Sequence, residues 1–153
     1  MVCLGNICRS SMAEGVMRHL LEQAGISHLH SVDSCGFEPC HLGQSPHSMA
    51  IATAQRHGVD IAHQRQRLFV KEDFRRFDRI YVMDSGNYYD VNRKAVQADD
   101  MKKVDYLYNM VAKGQNIPIP DPWGGTMDDF EHSYNMILQS CQALTEDLKK
   151  TDR

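Results

Sequence analysis

Apolar positions recur at helical spacing near both ends of the chain and form short continuous runs in its middle. In residues 11–24, Met12, Val16, Leu20 and Ala24 step by four, and Ala13, Met17 and Leu21 widen the stripe. Gly25 follows where a C-cap would stand, so the spacing predicts an amphipathic helix that stops there. Pro46 opens a second helix at its first turn, carried by Met49, Ala50, Ile51 and Ala54 and ended by Gly58. The last stretch is the most regular. Phe130, Tyr134, Ile137, Cys141, Leu144 and Leu148 alternate steps of four and three along one face. Between the helices, residues 30–35 read as a short strand entering a loop at Gly36. Ile80-Tyr81-Val82-Met83, ended by Asp84, reads as a strand buried on both faces, and residues 104–108 as another.

This alternation predicts an α/β fold, a parallel sheet with helices on both faces, in one domain spanning residues 1–153. In such sheets ligands gather at the carboxyl ends of the strands. The loops after the first and third predicted strands, with the Pro-rich segment around Asp121, then share one rim.

Composition narrows the function classes. At 42% hydrophobic and 24% charged residues, the chain matches an ordinary globular protein rather than a disordered tail or a fibre. A formal net charge of -3 leaves no basic footprint for a nucleic acid. No apolar run approaches the roughly 18 residues of a membrane span, and no export leader opens the sequence. The expectation is a cytoplasmic protein without nucleic-acid or membrane partners. Its five cysteines should then be reduced thiols, with Cys141 a core residue on the last helix. Cys3-x4-Cys8 and Cys35-x4-Cys40-His41 approach zinc-ligand spacing, but Arg9 beside Cys8 would repel a dication. No metal or cofactor is expected.

The chemistry is concentrated in Cys3-Leu4-Gly5-Asn6-Ile7-Cys8-Arg9-Ser10. Gly5 and Asn6 tolerate left-handed backbone, so the loop can curl with its amides inward, and a helix begins directly afterwards. Loop amides and helix N-terminus converge into an anion cradle suited to a phosphoryl group. The same field favours a sulfur anion at Cys3, and hence a nucleophile. Arg9 supplies a planar fork for two phosphoryl oxygens, and Ser10 a hydrogen bond to the sulfur. Downstream, Ile119-Pro120-Asp121-Pro122 is a stiff loop whose prolines fix where the carboxylate points.

That loop, followed by Met12-Ala13-Glu14, resembles the active-site loop of the low-molecular-weight protein tyrosine phosphatases. The likeness continues in order through Val32-Asp33-Ser34, Lys71-Glu72-Asp73-Phe74 with Phe77-Asp78, Met83-Asp84 with Asn87, Asp121-Pro122-Trp123, and Asp129-Phe130-Glu131. The resemblance implies a four-stranded parallel sheet flanked by helices, no metal, and hydrolysis of tyrosine-phosphorylated protein through a cysteinyl-phosphate. It makes Cys3 the nucleophile, Arg9 the phosphoryl clamp, and Asp121 the acid for the leaving oxygen and then the base on water. Leu4, Gly5, Asn6, Ile7, Cys8 and Ser10 complete the phosphate loop. By the same resemblance Asn6 holds the strained loop, Ser34 hydrogen-bonds to Asn6, and His63 is a buried histidine in that network. Cys8 could close a reversible disulfide with Cys3 under oxidant. Trp123 would wall the substrate ring, with Phe37 or His41 on the opposite rim.

The chain also departs from the family pattern. Only Met1 and Val2 precede Cys3, so the first, central strand is truncated. Either the natural chain starts upstream of Met1 or the sheet is repaired in another way. Ser11 replaces the usual proline, and a one-residue insertion after His63 leaves Arg65 and Arg67 as alternatives for the family's arginine. Two other functions compete: a thiol-dependent arsenate reductase and a non-catalytic phosphotyrosine-binding module. The first needs relay cysteines, and none occurs between Ile80 and Lys113.

Overall fold

The computed structural model of the protein describes residues 1–151. Its elements are α1 (Arg9–Gln23), α2 (Ser48–Arg56), α3 (Asp73–Arg76), β1 (Ile80–Val82), α4 (Ser85–Lys94), β2 (Val104–Tyr106) and α5 (Met127–Thr151), with 3-10 turns at Pro39–His41, Asp100–Lys103 and Leu107–Met110. The first helix starts two residues earlier than its apolar stripe, because Arg9 and Ser10 of the loop already form its first turn. Pro46 stands just ahead of α2 rather than in its first turn. His47 is the N-cap, and its ring Nδ1 accepts the Met49 N–H at 3.1 Å. Residues 104–108 divide into strand β2 and a 3-10 turn from Leu107.

The α/β class and parallel pairing agree with the pattern, but the four expected strands do not all form. β1 and β2 pair in parallel, with Ile80 opposite Val104 and Val82 opposite Tyr106. Beyond them lie single parallel bridges, Val2 with both Val82 and Cys35, and Gly36 with Leu68. Backbone hydrogen bonds flank the Val2 bridges, from the Met1 amine to Asp33 O at 2.9 Å, from the Cys35 N–H to Met1 O at 3.0 Å and from the Cys3 N–H to Cys35 O at 3.3 Å.

Side chains alternate across this layer as a pleat requires. Tyr81 and Met83 face one core cluster, where Met12, Val16, Leu21, Phe130, Tyr134, Ile137 and Cys141 bring α1 and α5 together. Ile80 and Val82 face the other, with Val2, Phe69, Phe74 of α3 and Val91 of α4. The periodic face of α5 is buried from Phe130 through Leu144, and Leu148 is partly covered. Helices thus cover both faces, and the carboxyl ends of residues 2 and 80–82 open toward one rim.

Candidate active site

Cys3 leaves the sheet directly after Val2, and the chain folds back so that α1 begins at Arg9. The turn requires one left-handed residue. Asn6 takes it, at φ 51°, and Gly5 does not. Four hydrogen bonds hold Asn6 there. Its side-chain amide donates to Ser10 Oγ at 2.8 Å and Ser34 Oγ at 2.9 Å, its Oδ1 accepts from the Arg67 N–H, and its carbonyl accepts from Ser11 Oγ at 2.8 Å. That last bond gives Ser11 a fastening role that a proline could not fill.

The loop carbonyls are occupied by the surrounding protein. Leu4 O accepts from the Phe37 and Glu38 amides, Ile7 O from His47, and Cys8 O from Met12. Among the described residues, the N–H groups of residues 4–8 meet no protein acceptor. With the first-turn amides of α1 they form a set of donors free for an anion. Buried Arg9 adds to it. Its Nη1 donates to Asp84 Oδ2 at 2.7 Å and to Ile119 O at 2.9 Å, while its buried Nε has no partner among the described residues. An oxyanion would satisfy that Nε.

The Cys3 sulfur lies 3.0 Å from Ser10 Oγ. Glu14, whose carboxylate is also paired with Arg18, accepts from Ser34 Oγ at 2.5 Å. Ser34 and Ser10 in turn each accept from the Asn6 amide, which leaves the Ser10 proton the sulfur at 3.0 Å as its nearer acceptor and Cys35 O at 3.5 Å as its more distant one. Cys8, five residues further along the loop, is different in kind. Burial, then the proximity of Cys3 and Asp121, pushes its thiol far above the ordinary value against the pull of Arg9. Both cysteines are free thiols.

Asp121 reaches the same place from the Pro-rich loop. Its Oδ2 is 3.5 Å from Arg9 Nη2, and its Oδ1 accepts the Trp123 N–H at 3.1 Å. A pocket of ≈ 220 Å³ opens above the loop, lined by Cys3, Leu4, Gly5, Ile7, Cys8, Arg9, Glu38, His41, Asp121 and Trp123.

Two expected residues lie elsewhere. His63 is exposed, and neighbouring Gln64 is the buried one, donating to Ser11 O at 3.1 Å. Phe37 is not on the rim; it stacks on Phe69 with ring centroids 5.5 Å apart. The two candidate arginines stand in different surroundings. Arg67 binds Asp33 and Asp73 at 2.9 Å each and its N–H holds Asn6, whereas Arg65 is exposed and bonds only nearby carbonyls. Burial opposes charge on Arg67, but the Asp73 hydrogen bond and the surrounding acids raise its pKa further above the usual value. Glu14 and Asp84 lie in stretches that match the family pattern, but the sequence assigned no role to them or to Glu38; besides that match, the signal for Asp84 was its position at the end of a buried strand.

Comparison with known proteins agrees with this geometry. The family model described as low molecular weight phosphotyrosine protein phosphatase matches residues 1–153. The low molecular weight phosphotyrosine protein phosphatase of Homo sapiens is 37% identical over 145 residues, covering 95% of this chain and 91% of its own. A protein tyrosine phosphatase from Entamoeba histolytica, solved with Hepes in its active site, superposes with a TM-score of 0.91 at 28% identity, over 99% of this chain and 96% of its own. Vibrio vulnificus Wzb, solved with benzylphosphonate, does so with a TM-score of 0.83 at 26% identity, over 95% and 94%. With its anion loop, buried arginine and opposing aspartate in place, the chain belongs to the low molecular weight phosphotyrosine protein phosphatase family.

Proposed function

We propose that the protein is a tyrosine phosphatase that hydrolyses aryl phosphomonoesters on protein substrates through a cysteinyl-phosphate. The observation that carries this reading is the Cys3 sulfur hydrogen-bonded to Ser10 beneath unpartnered loop amides and the free Nε of Arg9.

In the first step the Cys3 thiolate attacks phosphorus. The P–S bond forms, the P–O bond to the aryl group breaks, and Asp121 gives its proton to the departing oxygen. The loop amides and Arg9 stabilise the charge on the three remaining oxygens. In the second step the Asp121 carboxylate takes a proton from water, which attacks phosphorus and releases phosphate and the Cys3 thiolate. The hydrogen bond from Ser10 lowers the cost of that sulfur anion both times. Trp123 and His41 flank the aryl ring.

The same reading treats residues 1–153 as one catalytic unit of the cytoplasm, where thiols stay reduced. It also counts Val2 and Cys35 with β1 and β2 as a four-stranded sheet, supported by their parallel bridges.

Cys3→Ser tests the proposal. It should abolish turnover of p-nitrophenyl phosphate and phosphotyrosine peptide while keeping vanadate affinity. Turnover at the wild-type rate would overturn it.

A further inference from the structure

Beside the pocket, the 3-10 turn Pro39–His41 gathers three different ligand-type side chains. Among the described residues, Glu38, Cys40 and His41 present a carboxylate oxygen, a sulfur and a ring nitrogen all within 4.8 Å of one another. Glu38 Oε2 lies 3.9 Å from Cys40 Sγ and 3.7 Å from His41 Nε2. Tetrahedral coordination with ordinary zinc bond lengths sets such ligand–ligand edges at about 3.3–3.5 Å. The two edges from Glu38 therefore stand within about half an ångström of those of a coordination face, and the third lies within 4.8 Å.

We propose that Glu38, Cys40 and His41 bind a transition-metal dication of the Zn²⁺ class, and that the bound ion restricts access to the catalytic pocket. The donor set selects the ion: thiolate and imidazole favour zinc and its neighbours over magnesium or calcium. The outer partners favour it too. His41 Nδ1 faces Gln44 Oε1 at 3.2 Å, so Nδ1–H donation leaves the Nε2 lone pair directed at Glu38. Gln44 also donates to Cys40 O, and Gln66 to Glu38 O at 3.0 Å, which fixes the turn at both ends. Cys35, grouped with Cys40 and His41 by sequence spacing, is buried and paired with Val2, and Glu38 is the third donor instead. Binding deprotonates Cys40 and releases that proton to water.

The effect on access rests on the phosphatase reading. Glu38 and His41 both line the pocket mouth. A metal that draws them together locks that part of the mouth, so it raises KM for aryl phosphates and leaves kcat unchanged.

Co²⁺ added to the Cys3→Ser protein tests binding without needing turnover. One equivalent should give a thiolate-to-cobalt charge-transfer band that disappears in Cys3→Ser/Cys40→Ser. No band in the first protein, or the same band in both, overturns the site. In the otherwise wild-type enzyme, Cys40→Ser should keep basal activity and raise the Zn²⁺ concentration for half-inhibition at least about tenfold, the minimum that loss of an outer-sphere partner costs. Equal inhibition of both enzymes overturns the restriction of access. If neither enzyme turns over phosphate, the phosphatase reading fails while the cobalt result still decides the metal site.

Discussion

The guanidinium of Arg9 is held between two carboxylates, with Nη1 2.7 Å from Asp84 Oδ2 and Nη2 3.5 Å from Asp121 Oδ2. The shorter pair is the more buried one, and Asp84 also accepts the Asn87 N–H as N-cap of α4. One carboxylate therefore anchors both a helix and the phosphoryl clamp. Asp84→Asn keeps an acceptor for the cap but removes the charge that orients Arg9. We expect kcat/KM for p-nitrophenyl phosphate to fall about 10–100-fold, as loss of a charge-assisted hydrogen bond of about 1.5–3 kcal/mol implies. The thermal midpoint should barely move. Asp84→Ala should add about 1 kcal/mol of destabilisation from the lost cap. Unchanged kinetics in Asp84→Asn would show that Ile119 O positions Arg9 alone.

Glu14 acts on the sulfur through three intermediates, Ser34, Asn6 and Ser10. As acceptor it fixes the Ser34 hydroxyl, and the Asn6 amide then fixes Ser10 as donor to Cys3. Ser10→Ala removes the last bond, and kcat should drop about 10–100-fold with KM little changed. Glu14→Gln should lower kcat by less and in the same sense, because a glutamine amide can donate to Ser34 and disorder the proton directions. Stopped-flow measurement of the release and re-formation of the cysteinyl-phosphate would separate the two steps. A Ser10→Ala enzyme altered only in KM would contradict the relay.

What the sequence disclosed depended on whether a residue's role is set locally. The stripes of α1 and α5 and the loop from Cys3 to Ser10 follow from spacing, turn chemistry and a helix start, all within a few positions. The sheet was harder to read. Its central strand bridges through a single residue, Val2, and residues 30–34 are held by separate bonds, such as that from the Met1 amine to Asp33 O, rather than by a strand ladder. Glu14 reads as one more acid on a helix surface paired with Arg18 one turn on, and only Ser34, folded back from elsewhere, makes it a buried acceptor. His63 and Gln64 are neighbours in the sequence, and only the fold decides that Gln64 is the one turned into the interior. Phe37 illustrates the limit of residue type: an aromatic next to a site can as readily pack inward, here on Phe69.

Gly36 marks where two backbones touch. A Cβ added there would meet Leu4 O at 2.7 Å, Asn6 N at 2.8 Å and Asn6 Cβ at 3.0 Å, all part of the catalytic loop. None of these atoms is the end of a flexible side chain, so Gly36→Ala must move the loop. The expected cost is about 1–3 kcal/mol of stability, together with a loss of vanadate affinity. Isothermal titration with vanadate at a temperature where the variant is folded distinguishes loop displacement from unfolding. Wild-type affinity in a folded variant would mean that the strands, not the loop, give way.

Alkaline pH should unfold the protein through protons that the folded state retains. Burial pushes Cys141 from the ordinary 9.0 to about 12. Cys35 also rises from 9.0 to about 12, mainly by burial, and Tyr134 from 10.0 to about 12 for the same reason. An unfolded chain begins to lose these protons near pH 9, while the folded one holds them until about 12. Above pH 9 the unfolded state therefore binds fewer protons, and the stability that these groups confer falls with each unit. Below pH 9 that contribution is complete. Urea midpoints should accordingly decline from pH 9 upward, and Cys141→Ala should show a shallower decline even though its midpoint at neutral pH is lower. Parallel slopes for the two proteins would mean that Cys141 does not contribute to the alkaline transition.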